Sequence, residues 1–399
     1  MPFTKEEIEE EREHFANVIA TFEQKDIFTI PIEDRELLEE IGYKERILAA
    51  DKAILANAAF LNKVVANPEI FGHDLSDLEE ADTTNDNRPE GAHAHTERLP
   101  HGHSHDHSHS RHHGHSHHPS RGEGSHGQIH TESIQRNSAG IRKKSKYRPT
   151  EHDMEKLRST LKQLVRDWSE EGKNERDACY EPMKEALLRH FSDIPEDERR
   201  NFRVLVPGAG LGRLAWDVAK LGFACQGNEF SHYMLLASFF MLNRTDEVHR
   251  HTIYPYVHSF SNMVNNEGSL RPIKIPDVLP SSLPPESDFS LVAGKPRHYL
   301  NNHVAVQAKN IVNYLRIIHR ILAPGGVWIN LGPLLWHWEN NTTNDPSIEL
   351  TLEEVKALAR KIGFEISNER TIDTTYTNNA RSMLGYVYHA EFWTAKKMI

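Results

Sequence analysis

Apolar side chains recur at three- and four-residue spacing through "EEIEEEREHFANVIATF" and "ERILAADKAILANAAFLNKVV", which predicts helices across residues 5–70. The alanines of the second stretch suit close packing on another helix. From about residue 81 to 146 the pattern stops. "HAHTERLPHGHSHDHSHSRHHGHSHH" holds almost no large apolar side chain. Such a segment buries too little surface to offset the entropy of ordering, so it reads as a disordered insert. Helical periodicity resumes near Thr150 with "STLKQLVRDWSEEGKNERDACYEPMKEALLRHF". Then "NFRVLVPGAG" gives the short continuous apolar run of a buried parallel strand. "LGRLAWDVAKLG" is helical with a closing glycine. "FACQGNEFS" is a second strand and "HYMLLASFFMLN" a second helix. "IVNYLRIIHRILAPGG" predicts a helix with a Pro–Gly stop, leading into the strand "VWINLGP". "LTLEEVKALARKIGF" is a further helix, and "YVYHAEFWTAKK" closes as a strand. Alternating strands and helices predict an α/β fold with a doubly wound sheet. The expected divisions are a helical region at 1–80 packing on the core and an insert at 81–146. A helical segment at 147–200 then covers the ligand site of a core at 201–399.

Composition narrows the function. Net charge is −11, from 47 basic and 58 acidic residues, which argues against a general nucleic-acid binder. Cys179 and Cys225 are the only cysteines and cannot form a disulfide framework, so a reducing compartment is expected. No apolar run reaches the length of a membrane span, and the acidic N-terminus does not read as a signal peptide. The expectation is a cytoplasmic protein with no membrane partner. "IRKKSKYR" is a weak nuclear signal that reads better as a solvated linker.

The candidate chemistry starts at the turn after the first strand. Gly208, Gly210 and Gly212 are spaced G-x-G-x-G. A dinucleotide fingerprint is G-x-G-x-x-G, and here Arg213 stands where its last glycine would be. Glu229 falls at the end of the second strand, where a carboxylate can accept both hydroxyls of a ribose. The combination suits S-adenosylmethionine better than a dinucleotide. Plain turn glycines with no ligand remain the third reading.

More specific stretches accompany the loop: "LKQLVRDWSEEGKNERDACY", "LVPGAGLGRLAWDVA", "GNEFSHYML", "INLGPLLWHWEN" and "SMLGYVYHAEFW". Together they resemble the N2227-like family of S-adenosylmethionine-dependent carnosine N-methyltransferases, over most of residues 5–75 and 150–397. That resemblance implies a Rossmann-like class I methyltransferase sheet with an N-terminal helical extension. It implies methyl transfer to the imidazole of a histidine-containing dipeptide or peptide, and it admits a homodimer. Gln163 and Arg166 then match cofactor-contacting residues, three apart on one helical face. Gly208 lies under the cofactor and Glu229 holds its ribose. His337 and Tyr388 match residues that contact the dipeptide, and both are the candidate catalytic residues. The aromatic faces of Trp336, Trp338 and Tyr388 suit a sulfonium or an imidazolium.

The sequence departs from that family after "SDFSLVAG". Lys295 and Pro296 stand where the family has an Asp–Phe pair that contacts adenine. The family next builds a helix and a fourth strand carrying an Asp near the substrate imidazole. Here the chain reads "KPRHYLNNHVAVQ" and rejoins the pattern at "AKNIVNYLR". A crossover back to a parallel sheet takes a dozen or more residues, and this stretch is too short for a helix and a strand. A missing or degraded central strand and weak turnover are therefore expected. The alternative is a catalytically impaired cofactor-binding protein with a metal-buffering tract. Thirteen of the 27 histidines lie between His93 and His126, and such imidazoles bind Zn²⁺, Ni²⁺ or Cu²⁺ weakly. No fixed ligand spacing suggests a structural or catalytic metal site.

Overall fold

Between residues 150 and 398 strands and helices follow one another much as the apolar pattern requires. The computed structural model describes residues 31–66, 150–293, 310–336, 339 and 347–398. The chain divides into two compact units, residues 1–70 with 145–399, and residues 71–144. The second unit lies outside the described residues, and so do the first expected helix, "IRKKSKYR" and "KPRHYLNNHVAVQ".

In order along the first unit come α1 (Ile32–Glu40), α2 (Tyr43–Val65), α3 (Glu151–Trp168) and α4 (Lys173–His190). Then follow β1 (Arg203–Pro207), α5 (Arg213–Lys220), β2 (Ala224–Glu229) and α6 (His232–Arg244). A short hairpin, β3 (His251–Ile253) and β4 (Ile273–Ile275), precedes β5 (Phe289–Ala293). The chain ends with α7 (Ile311–Ile321), β6 (Val327–Gly332), α8 (Leu352–Ile362), β7 (Phe364–Thr374) and β8 (Tyr388–Lys397).

Local sequence explains the helix ends. Thr150 and Asp153 form a reciprocal capping box that starts α3, and Thr351 and Glu354 do the same for α8. Gly363, at φ 115°, closes α8 in a left-handed turn. The long helical stretch expected after Thr150 is broken in two. The Ser169 hydroxyl donates to the Val165 carbonyl and accepts from the Gly172 N–H. A side chain at Gly172 would meet the Val165 carbonyl oxygen at 2.1 Å, so only glycine allows this tight reversal.

Leu157, Leu161, Leu164 and Trp168 make the buried stripe of α3. They share one core with Phe60, Leu61 and Val64 of α2, Met234 and Phe240 of α6, and Ile253 and Ile275 of the hairpin. A second cluster joins Ile311, Leu315 and Ile318 of α7 to Ala359 of α8 and Trp393 of β8.

The sheet has two parts. β1, β2 and β5 are parallel in the order β1–β2–β5, with Val204 beside Cys225 and Cys225 beside Phe289. β6, β8 and β7 are antiparallel in the order β6–β8–β7. The doubly wound expectation thus holds as a parallel sheet for β1, β2 and β5, while β6, β7 and β8 form an antiparallel sheet. β7 had no strand signature, because Ile366 and Ile372 stand isolated in the polar run "SNERT" and its flanks. Among the described residues, β1 pairs with β2 alone and β6 with β8 alone. No residue of either strand is fully buried, although Val204 and Val206 of β1 and Ile329 of β6 border the same apolar cluster.

One buried ionic group ties α3, α4 and α5 to the chain before β5. Asp277 accepts from Arg176 Nη2 at 2.6 Å and from Arg213 Nη1 at 2.7 Å, and all three side chains are buried. Removing one partner of such a group strands the others. Asp277→Ala is expected to lower unfolding free energy by about 3–5 kcal/mol, read by urea denaturation. A loss under about 1 kcal/mol would show that solvent reaches both guanidiniums.

Candidate functional site

The glycine loop lies between the tip of β1 and the start of α5. Gly208, Gly210 and Gly212 have φ of 64°, 55° and 80°, a region that residues with a Cβ avoid. Gly212 is the N-cap of α5, and a Cβ there would approach Leu242 Cδ1 to 3.1 Å. The Gly210 N–H points at the end of β2 and donates to Glu229 Oε2 at 2.7 Å. Glu229 Oε1 accepts from the N–H groups of Phe230 and Ser231 at 2.7 and 2.9 Å. The carboxylate is buried and its orientation is set by three backbone donors. It therefore sits fixed at the carboxyl end of a parallel strand, where ligands of open α/β sheets bind. Arg213 is committed elsewhere, to Asp217 at 3.0 Å and to Asp277.

Helix α3 covers the loop. Trp168 Nε1 donates to the Leu211 carbonyl at 3.1 Å and holds the loop from beneath. Gln163 reaches Gly210, where a Cβ would come within 3.7 Å of its Oε1. Arg166, one turn on, lies between the rings of Tyr180 and Tyr376, 5.1 and 5.0 Å from their centroids. Burial opposes its charge. Tyr180, Asp167 and Tyr376 outweigh that effect and raise its pKa above the ordinary arginine value, so it is a permanent cation.

Tyr376 also walls a cavity of about 510 Å³, with Lys162, Tyr256, His258, Asn262 and Asn378 among the other lining residues. The loop between β7 and β8 supplies much of that wall. Glu175 of α4 holds it by accepting from Thr375 Oγ1 and the Thr377 N–H, both at 2.7 Å, and from the Asn378 N–H at 3.0 Å. The same carboxylate is 3.8 Å from Arg166 Nε. Thr377 has φ 51°, an unusual conformation for a β-branched residue, and the bond to Glu175 sustains it. Glu175→Ala is expected to cost about 1.5–3 kcal/mol of stability and to speed amide exchange at Thr377 and Asn378 first. Unchanged exchange there would mean that the loop holds itself.

The structure thus brings together Gln163, Arg166, Gly208, Gly210, Gly212 and Glu229. Tyr388 is half-buried at the first position of β8, opposite Thr374, at the base of the loop that walls the cavity. His337 and Trp338 lie outside the described residues. Trp336 packs at the edge of the α7–α8 cluster. Sequence reasoning missed Glu175, His258 and the cavity wall. "VHSFSNM" and "TTYTNNARSM" have neither strand nor helix periodicity, and their aromatic and amide content was the only signal. Among the described residues no group of three His, Cys, Asp or Glu side chains could hold a metal ion. None of the described helices is long and apolar enough to cross a membrane.

A family model for carnosine N-methyltransferase matches residues 143–398. The chain belongs to the carnosine N-methyltransferase family. It is similar to the carnosine N-methyltransferase of Mus musculus, 47% identical over 256 residues, covering 61% of this chain and 64% of that protein. It is 42% identical over 267 residues to the one of Schizosaccharomyces pombe, covering 61% of this chain and 71% of that protein. The match therefore spans less than two thirds of the mouse relative's own length. The 256 aligned positions exceed the share of this chain that they cover, so the relative carries positions with no counterpart here. Among solved structures, a 1,6-didemethyltoxoflavin-N1-methyltransferase from Burkholderia thailandensis is 16% identical with a TM-score of 0.33. It covers 62% of this chain and 90% of its own, a likeness too slight to add to the fold described above. Every candidate site residue falls inside the span shared with the carnosine N-methyltransferase family.

Proposed function

We propose that the chain is an S-adenosylmethionine-dependent N-methyltransferase acting on the imidazole of a histidine-containing dipeptide, of the carnosine-to-anserine type. The observation that carries this reading is the placement of two sites on one helix. Gln163 of α3 faces the glycine loop while its neighbour Lys162 walls the cavity. Adjacent helical residues point about 100° apart, so α3 stands between a cofactor cradle and a substrate chamber.

The residues present suit the cofactor. Gly210 would let bare backbone approach the ligand, and Glu229 offers a carboxylate whose outer lone pairs suit ribose hydroxyls. Gln163 and Arg166 would border the methionine portion from above, with Gly208 and Gly212 shaping the turn. When bound, S-adenosylmethionine supplies an electrophilic methyl group.

The protein's own task is alignment and exclusion of water. An imidazole attacks through a ring-nitrogen lone pair, so the chamber must take it neutral. His337 and Tyr388 are proposed to contact the dipeptide. The two unpaired cysteines fit a cytoplasmic, reducing location. Turnover by this 399-residue chain is proposed to be weak. The half-exposed β1 supports that reading, since parallel strands are normally covered on both sides.

The deciding experiment incubates purified protein with S-adenosylmethionine and β-alanyl-histidine and follows methylated dipeptide by mass spectrometry. The expected result is slow formation of an N-methylimidazole product, with adenosylhomocysteine binding by calorimetry. Absence of adenosylhomocysteine binding removes the methyltransferase reading. Binding without any product leaves a cofactor-binding protein in its place.

A further inference from the structure

The cavity beside α3 carries an unbalanced charge. Of its lining side chains, Lys162 is the one with a formal charge at neutral pH, and no carboxylate joins the wall. Neighbouring cations are already matched: Arg158 with Glu151 and Glu155, Arg166 with Asp167 and Glu175, Arg271 with Glu171. Among the described residues Lys162 has no ion pair and is half-buried. A partly desolvated cation without a counter-charge lowers its free energy by taking an anion. Burial, with Arg158 and Lys162, holds the His258 pKa at about 4, so this imidazole stays neutral and adds no charge. Lys162's field is thus felt inside the chamber. The rest of the wall is neutral and polar or aromatic, with Tyr256, Asn262, Asn378 and Tyr386 among its members. At about 510 Å³ the chamber has room for a dipeptide.

We infer that Lys162 is the anion-binding residue of this chamber and that it selects dipeptides with a free C-terminal carboxylate. This rests on the proposed function and narrows its substrate class. The carboxylate and the imidazole belong to the same histidine, so a carboxylate held against α3 also limits where the ring can reach. The neighbouring Gln163 already marks the cofactor side of the same helix. The lysine then acts in binding and orientation and takes no part in bond-making.

The test titrates β-alanyl-histidine and β-alanyl-histidine amide into full-length protein saturated with S-adenosylhomocysteine. The free acid is expected to bind about ten- to hundredfold more tightly, the range for a charge-assisted hydrogen bond. Lys162→Met should bind both probes equally, near the affinity of the amide. Lys162→Arg should keep the preference for the acid. Adenosylhomocysteine binding by each variant shows that the fold is kept. Equal binding of both probes by the parent protein, or a preference that survives Lys162→Met, overturns the inference while leaving the proposed function standing. Failure of both probes to bind the parent protein, with adenosylhomocysteine bound, overturns the dipeptide reading itself and this inference with it.

Discussion

Glu229→Ala is expected to weaken binding of S-adenosylhomocysteine by about a hundredfold or more and to lower the melting temperature at the same time. The two effects have one origin. The carboxylate is buried, and it pairs the N–H groups of Gly210, Phe230 and Ser231. Its loss leaves three backbone donors without their partner, each costing about 1–3 kcal/mol if water cannot replace it. It also removes the acceptor proposed for the ribose, where two charge-assisted bonds account for about 3 kcal/mol, or a hundredfold. Glu229→Gln separates the contributions, since the side chain keeps its shape and one accepting oxygen. It should retain most of the thermal stability and still lose much of the affinity. Calorimetry and thermal melts on the two variants suffice. An alanine variant that binds adenosylhomocysteine like the parent would show that Glu229 only braces the loop.

The second large effect concerns residues 295–307. Replacing them with the corresponding segment of the mouse relative is expected to raise turnover on β-alanyl-histidine by about 10²–10⁴-fold. The magnitude is that of a positioned acid–base group. Two features motivate this exchange. β1 and β6 border one apolar cluster, yet among the described residues each is paired on one side, and no residue of either is fully buried. The mouse relative also carries aligned positions that this chain lacks. A strand supplied by the mouse segment would cover both edges. In the resembled family it also brings an Asp beside the imidazole, where an acceptor can hold one ring N–H and leave the other nitrogen free to attack. Single-turnover rates of parent and chimera make the comparison, with the melting temperature as a second reading. A chimera no faster than the parent, or brisk turnover by the parent, would remove the claim that this segment limits the enzyme.

How far the site was legible differs residue by residue. The glycine loop and Glu229 could be read because chemistry and local backbone coincide there: a strand, a left-handed turn and a carboxylate at the next strand's end. Gln163 and Arg166 needed the family resemblance, since a polar face on α3 reads equally as solvated surface. Their position over Gly210 and between Tyr180 and Tyr376 comes from packing of α3 on the core. Glu175 gave no sequence signal at all. Its three partners lie two hundred positions away in the β7–β8 loop, and an acidic residue early in a helix is commonplace.

The sequence by itself determined most of the described helices and four of the eight described strands, β1, β2, β6 and β8, because periodicity, capping boxes and turn glycines act over a few neighbouring residues. It also favoured S-adenosylmethionine over a dinucleotide, because the glycine loop and its acid lie within one strand–helix–strand unit of the chain. Tertiary structure decided the antiparallel pairing of β6, β8 and β7, the buried Arg176–Asp277–Arg213 cluster, and the chamber that joins Lys162, His258 and Tyr376. Those features depend on contacts between distant segments. Such contacts exist only once apolar faces have been buried against one another, and no local pattern records which segment will lie opposite.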